Sequence, residues 1–238
     1  MEQPSKPDLH GVIVIDKPRG PTSMSMVNLV RRKCNKMKTG HAGTLDPLAT
    51  GVLVLGVGKM TKKLGLMMDT DKRYKTVIDL SATTSGHDAE TEREEVQVDS
   101  PPTRQEIDDA VASFAGEIMQ SPPIFSAVKV DGHRAYAVAR KGKEVKLEPR
   151  KVTVHSISVV EYAWPLVTID IACAKGFYVR SLARDLGKQL QTGGYCTEIR
   201  RTEVGRFTLG IAKQLETLPE FLMQEDLIHP DQVMELLQ

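Results

Sequence analysis

The sequence is short of the features that mark several large protein classes. Its cysteines, Cys34, Cys173 and Cys196, lie far apart with no paired Cys or Cys/His spacing, which excludes a disulfide scaffold and a zinc module. No window approaches the roughly 18 uninterrupted apolar residues of a membrane-spanning helix. The N-terminal stretch has a short apolar run without a small-residue cleavage site, so no signal peptide is expected. We therefore expect a cytoplasmic protein with reduced, buried thiols.

What is present is an ordinary globular mixture. The chain has 238 residues, of which 40% are hydrophobic and 26% charged, enough for one large domain or two small ones. A chain of this length buries most of its unfolded surface without a metal or disulfide. Short strands and helices alternate without the regular rhythm of a doubly wound sheet. The sequence therefore predicts an α+β fold.

The charge is divided along the chain. The net charge is only +1, but residues 88–117 carry ten acids and two arginines, and residues 214–238 carry six acids and no Lys or Arg. Basic clusters lie at 31–38 and at 134–151. A polyanion that met only the basic part would experience a strong local field, which favours nucleic acid as a partner. The alternative is that these clusters are solvated helix faces.

Local signals place several elements. Ser23 is a candidate cap for a helix over residues 24–34. Thr103 and Glu106 form a capping-box pattern that opens a helix ending near Phe114. A further helix is expected over 178–190. Strands are expected at 11–15, 52–55, 74–80, 125–131, 151–161, 166–174 and 196–208, and two short acidic helices over 213–238.

The strongest local motif is a glycine-bracketed loop that contains one acid. Asp46 precedes Pro47 within Gly43-Thr-Leu-Asp-Pro-Leu-Ala-Thr-Gly51, so its backbone is tightly constrained. An ordinary Asx-turn aspartate is the structural alternative. Three other segments each contain a basic residue near an aromatic one: Asp71–Tyr74, Ser121–Lys129 and Lys175–Leu182. Taken singly, each is explained by an aromatic side chain in the core beside a basic side chain on the surface.

Taken together, these segments resemble the TruB family of tRNA pseudouridine synthases from about residue 11 to residue 208. The motifs that carry the resemblance follow in order along the chain: Asp16–Ser23, Gly40–Gly51, Asp71–Tyr74, Ser121–Lys129, Lys175–Leu182 and Ile199–Arg201. The resemblance implies a pseudouridine synthase fold, with a mixed, largely antiparallel sheet flanked by helices and an inserted RNA-contacting segment at roughly 95–145. It also implies isomerisation of uridine 55 in the tRNA T loop, by base flipping and without a cofactor or metal.

The same resemblance implies the site residues. Asp46 matches the catalytic aspartate, Arg180 the arginine that holds its carboxylate, and Tyr74 the active-site tyrosine. Tyr178 and Ile199 match residues that contact the flipped nucleotide. His41 matches the histidine that packs in the T loop, and Lys62 matches a lysine near the site. Lys17 is assigned to the substrate site as well, with support of the catalytic loop as its expected task. No site residue is carried over from Ser81–Asp88, which follows the family pattern only loosely.

The expected organisation is a catalytic domain over 1–212, followed by an acidic helical tail over 213–238 that is too short for the PUA-type RNA-binding module of many relatives. The expected partner is the T stem-loop of tRNA, with no membrane, no guide RNA and a monomeric state. Two alternatives stay open. One is a non-catalytic tRNA-binding factor on the same fold, and the other is a guide-RNA-dependent synthase.

Overall fold

The structure is a computed structural model that describes residues 9–125 and 147–237, together with the backbone of 129–130 and 133–134. Most of the strand expected at 125–131, much of the basic cluster at 134–151 and part of the insertion expected at 95–145 therefore lie outside the described residues. No helix in the described ranges is long and apolar enough to cross a membrane.

Thirteen strands and five α-helices are assigned within the described residues. The strands are β1 Gly11–Lys17, β2 Thr39–His41, β3 Thr50–Val57, β4 Lys72–Asp79, β5 Ala82–Thr84, β6 Arg93–Glu95, β7 Gly116–Gln120, β8 Lys129–Val130, β9 His133–Arg134, β10 Arg150–Ala163, β11 Leu166–Cys173, β12 Tyr195–Val204 and β13 Phe207–Thr208. The helices are α1 Ser23–Lys33, α2 Leu64–Met68, α3 Arg104–Ala112, α4 Val179–Leu190 and α5 Pro230–Leu236. Short 3₁₀ turns lie at Gly58–Lys63, Leu209–Ile211, Leu215–Thr217 and Gln224–Asp226.

The chain divides into two compact units. The first comprises Met1–Arg73 and Arg200–Gln238, and the second comprises Tyr74–Ile199. Strands β4 and β12 contribute residues to both. In this division, the C-terminal segment belongs to the same unit as the N-terminus.

In the first unit, β3 is the central strand. It pairs antiparallel with β1 and β2, and parallel with β12 at Thr50↔Arg200 and Gly51↔Arg201. Its alternate valines pack in one apolar cluster with β1, Phe207 and Val233. The acidic C-terminal segment adds to this core, since Ile228 forms a β-bridge with Val12 and exchanges backbone hydrogen bonds with it. It forms 3₁₀ turns and one α-helix rather than the two helices expected.

In the second unit, the strands follow the order β12-β4-β11-β10-β7. β10 pairs antiparallel with both β11 and β7. Alternate residues of β11 are buried, from Val167 to Cys173, which is the pattern of a strand with one face on a core. Helix α3 packs on β10 and on α4. The expected α+β class with a mostly antiparallel sheet is confirmed.

Of the two helix caps predicted from the sequence, one is confirmed and one is wrong. The capping box at Thr103 is present with both of its reciprocal hydrogen bonds to Glu106. The expected cap of α1 is wrong, because Thr22 is the N-cap and accepts a hydrogen bond from Ser25 N–H at 3.0 Å. Ser23 is the first helical residue, and its hydroxyl is engaged with the backbone of Leu45 instead.

Candidate active site

In the first unit, Asp46 lies on the loop between β2 and β3, half-buried, and its carbonyl accepts from Ala49 N–H at 3.0 Å to close a turn. The loop leads into β3, whose second residue, Gly51, has φ +101°; an added Cβ there would lie 2.1 Å from the Arg201 carbonyl oxygen. A side chain there would meet both backbone strain and a backbone clash. Glycine at position 51 is therefore required for the parallel approach of β12 to the end of this loop.

A buried lysine holds the loop through hydrogen bonds to its backbone carbonyls. Lys17, at the end of β1, is 0% exposed, and its ammonium donates to the carbonyls of Pro18 (3.0 Å), Pro47 (3.2 Å) and Ala49 (2.7 Å). Hydrogen bonds from a charged donor offset the desolvation of the buried ammonium. Two of these carbonyls belong to the loop that carries Asp46. The ammonium therefore fixes the chain on the C-terminal side of the aspartate.

A serine and an arginine hold the rest of the loop. Ser23 Oγ donates to the Leu45 carbonyl at 2.9 Å and accepts from Leu45 N–H at 2.8 Å. Arg201, 2% exposed, donates through Nε to the Val52 carbonyl at 2.8 Å and through Nη2 to the Gly43 carbonyl at 3.3 Å. Side chains from β1, α1 and β12 thus converge on the backbone either side of Asp46.

His41 borders an open groove on the same unit. The groove has a volume of ≈ 500 Å³ and is lined by Met24, Val27, Asn28, Arg31, Lys36, Lys38, Thr39, Gly40, His41 and Leu64. Burial, and secondly the positive charge of Arg201, lower the pKa of His41. The ring is therefore neutral at pH 7. Three cationic side chains and no acid line the groove beside a flat neutral ring.

Lys62 lies in the 3₁₀ turn Gly58–Lys63 that follows β3, and its side chain is exposed. Lys17, His41, Asp46 and Lys62 all belong to the first unit. Of these residues, Lys17 and Asp46 are connected, because the Lys17 ammonium binds carbonyls of the loop that carries Asp46.

The second unit holds the remaining residues named by the sequence. Arg180, in the first turn of α4, is 6% exposed, and its Nη1 lies 3.3 Å from Asp88 Oδ2. The same guanidinium donates to the Gly86 carbonyl at 3.2 Å and to the Phe125 carbonyl at 2.8 Å. A planar fork with several fixed donors is suited to such an arrangement. Asp88 in turn accepts from Glu90 N–H at 3.0 Å.

The two tyrosines and the isoleucine of the sequence analysis lie on two neighbouring strands and at the start of a helix in this unit. Tyr74 is half-buried on β4, and Ile199 is buried on the neighbouring strand β12. Tyr178 is the half-buried N-cap residue of α4, two residues before Arg180. A histidine not singled out by the sequence, His87, lies beside Asp88. Burial, and then the charges of Arg184, Arg180 and Lys188, lower the pKa of His87 to about 4.

The sequence profile of the TruB family pseudouridylate synthase (N-terminal domain) matches residues 31–179. The chain belongs to this family. It is 46% identical over 220 residues to a tRNA pseudouridine synthase B of Arthrobacter sp. (strain FB24), covering 90% of this chain and 72% of the relative. A protein of the same name from Caulobacter sp. (strain K31) is 47% identical over 213 residues, covering 88% of this chain and 68% of the relative.

Solved structures agree with the family assignment. A chain from a crystal structure of a Cbf5-Nop10-Gar1 complex superposes with a TM-score of 0.70 at 30% sequence identity, covering 87% of this chain. This chain spans about half of that one, 53% of its length. The pseudouridine synthase fold expected from the motifs is thereby confirmed.

Sequence reasoning missed three residues that hold the family's motifs in place. Ser23 and Arg201 stand at the ends of recognised motifs, but nothing local shows that they bind the Asp46 loop. Asp88 lies in the Ser81–Asp88 segment, which departs from the family pattern. Its buried ion pair joins residues 92 positions apart along the chain, and no sequence periodicity reports such a contact. Among the described residues, no group of three or more His, Cys, Asp or Glu side chains is placed to hold a metal ion.

Proposed function

We propose that the protein isomerises uridine 55 in the T loop of tRNA to pseudouridine. The observation that carries the proposal is the Asp46 loop, whose backbone is fixed on both sides of the aspartate by Lys17, Ser23 and Arg201. A reacting carboxylate must be held in place, since small misplacements strongly reduce rate. The curated relatives named tRNA pseudouridine synthase B support tRNA as the substrate.

The reaction balances within the nucleotide itself. The bond from uracil N1 to ribose C1′ breaks, the base rotates, and C5 bonds to C1′. The proton on C5 is removed and N1 receives one, so no atom or electron is gained or lost overall. Nothing in this balance requires a redox cofactor.

In this proposal Asp46 is the catalytic carboxylate and acts in its ionised form. It attacks the base, attacks ribose C1′ or assists removal of a ribose proton, and the three routes share its requirement for a fixed position. Arg180 is assigned to orient the carboxylate. The Asp88 carboxylate and two carbonyls hold the guanidinium of Arg180 in a set orientation, which supports that role.

Aromatic and apolar side chains receive the extruded base. Tyr74 stacks on the uracil, and its hydroxyl is the candidate base for the C5 proton. Tyr178 and Ile199 contact the flipped nucleotide. Extrusion requires a few kcal/mol, which stacking on an aromatic ring and phosphate contacts can supply.

The groove beside His41 is assigned to the RNA. Its lining includes Arg31, Lys36 and Lys38, whose charges suit phosphates, while the neutral His41 ring suits contact with the T-loop bases. Lys62, exposed on the same unit, adds a further cation for the backbone. Lys17 is assigned to the loop rather than to the RNA, since its side chain is fully buried.

The deciding experiment maps pseudouridine in a tRNA transcript and in a T stem-loop incubated with the purified protein. Wild-type protein is expected to modify uridine 55. An Asp46→Asn variant is expected to lose at least 10⁴-fold in rate while binding the RNA normally, because the substitution removes the charge and preserves the shape. Asp231→Asn, an exposed aspartate on α5 outside the motifs, is the matched control and should retain full activity. Near-normal turnover by Asp46→Asn would overturn the assignment.

A guide-dependent synthase is the second candidate, because a chain from the Cbf5-Nop10-Gar1 complex superposes well on this one. The same experiment separates the two functions. Modification of naked transcript by the purified protein alone supports the proposal. A requirement for an added RNA or protein would favour the second candidate.

A further inference from the structure

A buried glutamine holds the backbone of Tyr178 in both directions. Gln120, the last residue of β7, is 2% exposed. Its Oε1 accepts from Tyr178 N–H at 2.8 Å, and its Nε2 donates to the Tyr178 carbonyl at 3.1 Å. The side-chain amide therefore pairs with one residue as a neighbouring strand would.

Tyr178 depends on this contact because it stands just outside a helix. It is extended (φ −116°, ψ 114°), and α4 has no side-chain hydrogen bond at its N-cap. Its carbonyl begins the helix by accepting from Leu182 N–H at 3.2 Å, but its own N–H precedes the helical ladder. Gly176, two residues earlier, has φ +88°, so the approach to the helix turns sharply. Gln120 supplies the acceptor that the helix does not.

The residues after Gln120 hold the next part of α4. The Ser121 carbonyl accepts from Ser181 Oγ at 2.8 Å and from Arg184 Nη2 at 3.0 Å. The Phe125 carbonyl accepts from Arg180. These contacts act on residues within the helix, whereas Gln120 acts on the residue that carries the ring. Among uncharged side chains, an amide has the fixed donor and acceptor needed to bond both the N–H and the carbonyl of one residue.

We propose that Gln120 is a positioning residue for catalysis, which sets the direction of the Tyr178 ring through the Tyr178 backbone. The inference rests on the proposed function, in which Tyr178 contacts the flipped nucleotide. Loss of both hydrogen bonds frees the residue before α4 to shift, and a displacement near 1 Å at a reacting nucleotide reduces rate by up to about 10²-fold. The effect is expected on the step after binding, because the proposed function assigns the phosphate contacts to the groove beside His41.

The test compares two buried side chains at the start of α4: Gln120, which binds the N-cap residue Tyr178, and Ser181, which lies in the helix itself. Gln120→Met preserves volume and removes both bonds to Tyr178. Ser181→Ala removes one bond between α4 and the segment after β7 but leaves the Tyr178 backbone untouched. Single-turnover rate on a T stem-loop, RNA dissociation constant and thermal unfolding midpoint are measured for each. Gln120→Met is expected to lower the rate by about 10- to 100-fold with the dissociation constant changed less than about 3-fold, and Ser181→Ala to stay within about 2-fold in rate.

A double-mutant cycle separates positioning from a general loss of structure. If Gln120 acts through Tyr178, Gln120→Met should lower the rate less than about 2-fold in a Tyr178→Leu background. A full additional loss there, or equal rates for Gln120→Met and Ser181→Ala, would overturn the inference. Gln120→Asn, which keeps the amide on a shorter stem, replaces the methionine variant in the same cycle if that variant does not fold. Absence of pseudouridine with wild-type protein would instead refute the proposed function.

Discussion

The two units hold their key residues by different means. In the first, a buried lysine ammonium donates to three backbone carbonyls, two of them on the loop that carries Asp46. In the second, a buried arginine donates to two carbonyls and pairs with a buried carboxylate, that of Asp88. The first arrangement fixes the path of a loop through its backbone. The second fixes the direction of a charged side chain.

This difference predicts different responses to substitution. Removing an ammonium from carbonyls leaves neutral acceptors, each of which loses a hydrogen bond. Removing a carboxylate from a buried guanidinium leaves an ion without its counter-charge in a low-dielectric site, which is much more unfavourable. The second unit should therefore be the more sensitive to loss of one partner.

The largest effect is expected for Asp88→Ala. It leaves Arg180 buried without this carboxylate and also removes the acceptor for Glu90 N–H. The free energy of unfolding, measured by urea denaturation, should fall by about 3–5 kcal/mol. Glu95→Gln breaks the exposed Arg93–Glu95 pair and is the control, with a loss below about 1 kcal/mol. Similar small losses for both variants would show that the buried pair contributes little.

A smaller effect is expected for Lys17→Met in the first unit. The substitution keeps a long side chain but leaves the carbonyls of Pro18, Pro47 and Ala49 without the ammonium. Part of the loss is offset because a buried charge is removed, so a decrease of about 2 kcal/mol is expected. The same urea measurement on Lys59→Met, an exposed lysine, should show almost no change. A decrease larger than that of Asp88→Ala would reverse the ranking of the two units.

Signals contained within a few residues were predictable from the sequence. The Thr103–Glu106 capping box and the helix over 178–190 appear at nearly the expected positions, as Arg104–Ala112 and Val179–Leu190. Both depend on hydrogen bonds and periodicity between near neighbours along the chain. The loop around Asp46 was recognisable for the same reason, since its glycines and proline constrain their own backbone.

Contacts between distant segments were not predictable in this way. Serine before a helix commonly caps it, so the sequence predicts Ser23 as the cap, but Leu45 provides both a donor and an acceptor for its hydroxyl. Likewise, Arg180 is paired with Asp88 and Tyr178 with Gln120, and both partners come from distant parts of the chain. Such pairs depend on which strands become neighbours, and a single sequence contains no local record of that. The motifs therefore identified the candidate site residues but not the residues that hold them.

The smallest effect at pH 7 is expected from the buried histidines, whose contribution appears only in the pH dependence of stability, where the units again differ. Three cations, Arg184, Arg180 and Lys188, add to burial in lowering the pKa of His87 to about 4, whereas Arg201 alone adds to burial at His41. A folded-state pKa below the unfolded value near 6.5 means that the unfolded chain binds more protons. The contribution to stability is therefore complete above about pH 6.5 and is lost as the pH falls from there toward 4.

His87→Asn should flatten the fall of the unfolding midpoint between pH 6.5 and 4, reducing proton uptake on unfolding by less than one proton. Asparagine is the suitable replacement because residue 87 has φ +57°, a conformation that asparagine tolerates. His41→Asn should flatten the curve less, since fewer cations face that ring. Urea unfolding at several pH values across this window measures both. An equal or larger flattening for His41→Asn would mean that burial, rather than the cations of α4, determines the acid sensitivity of the second unit.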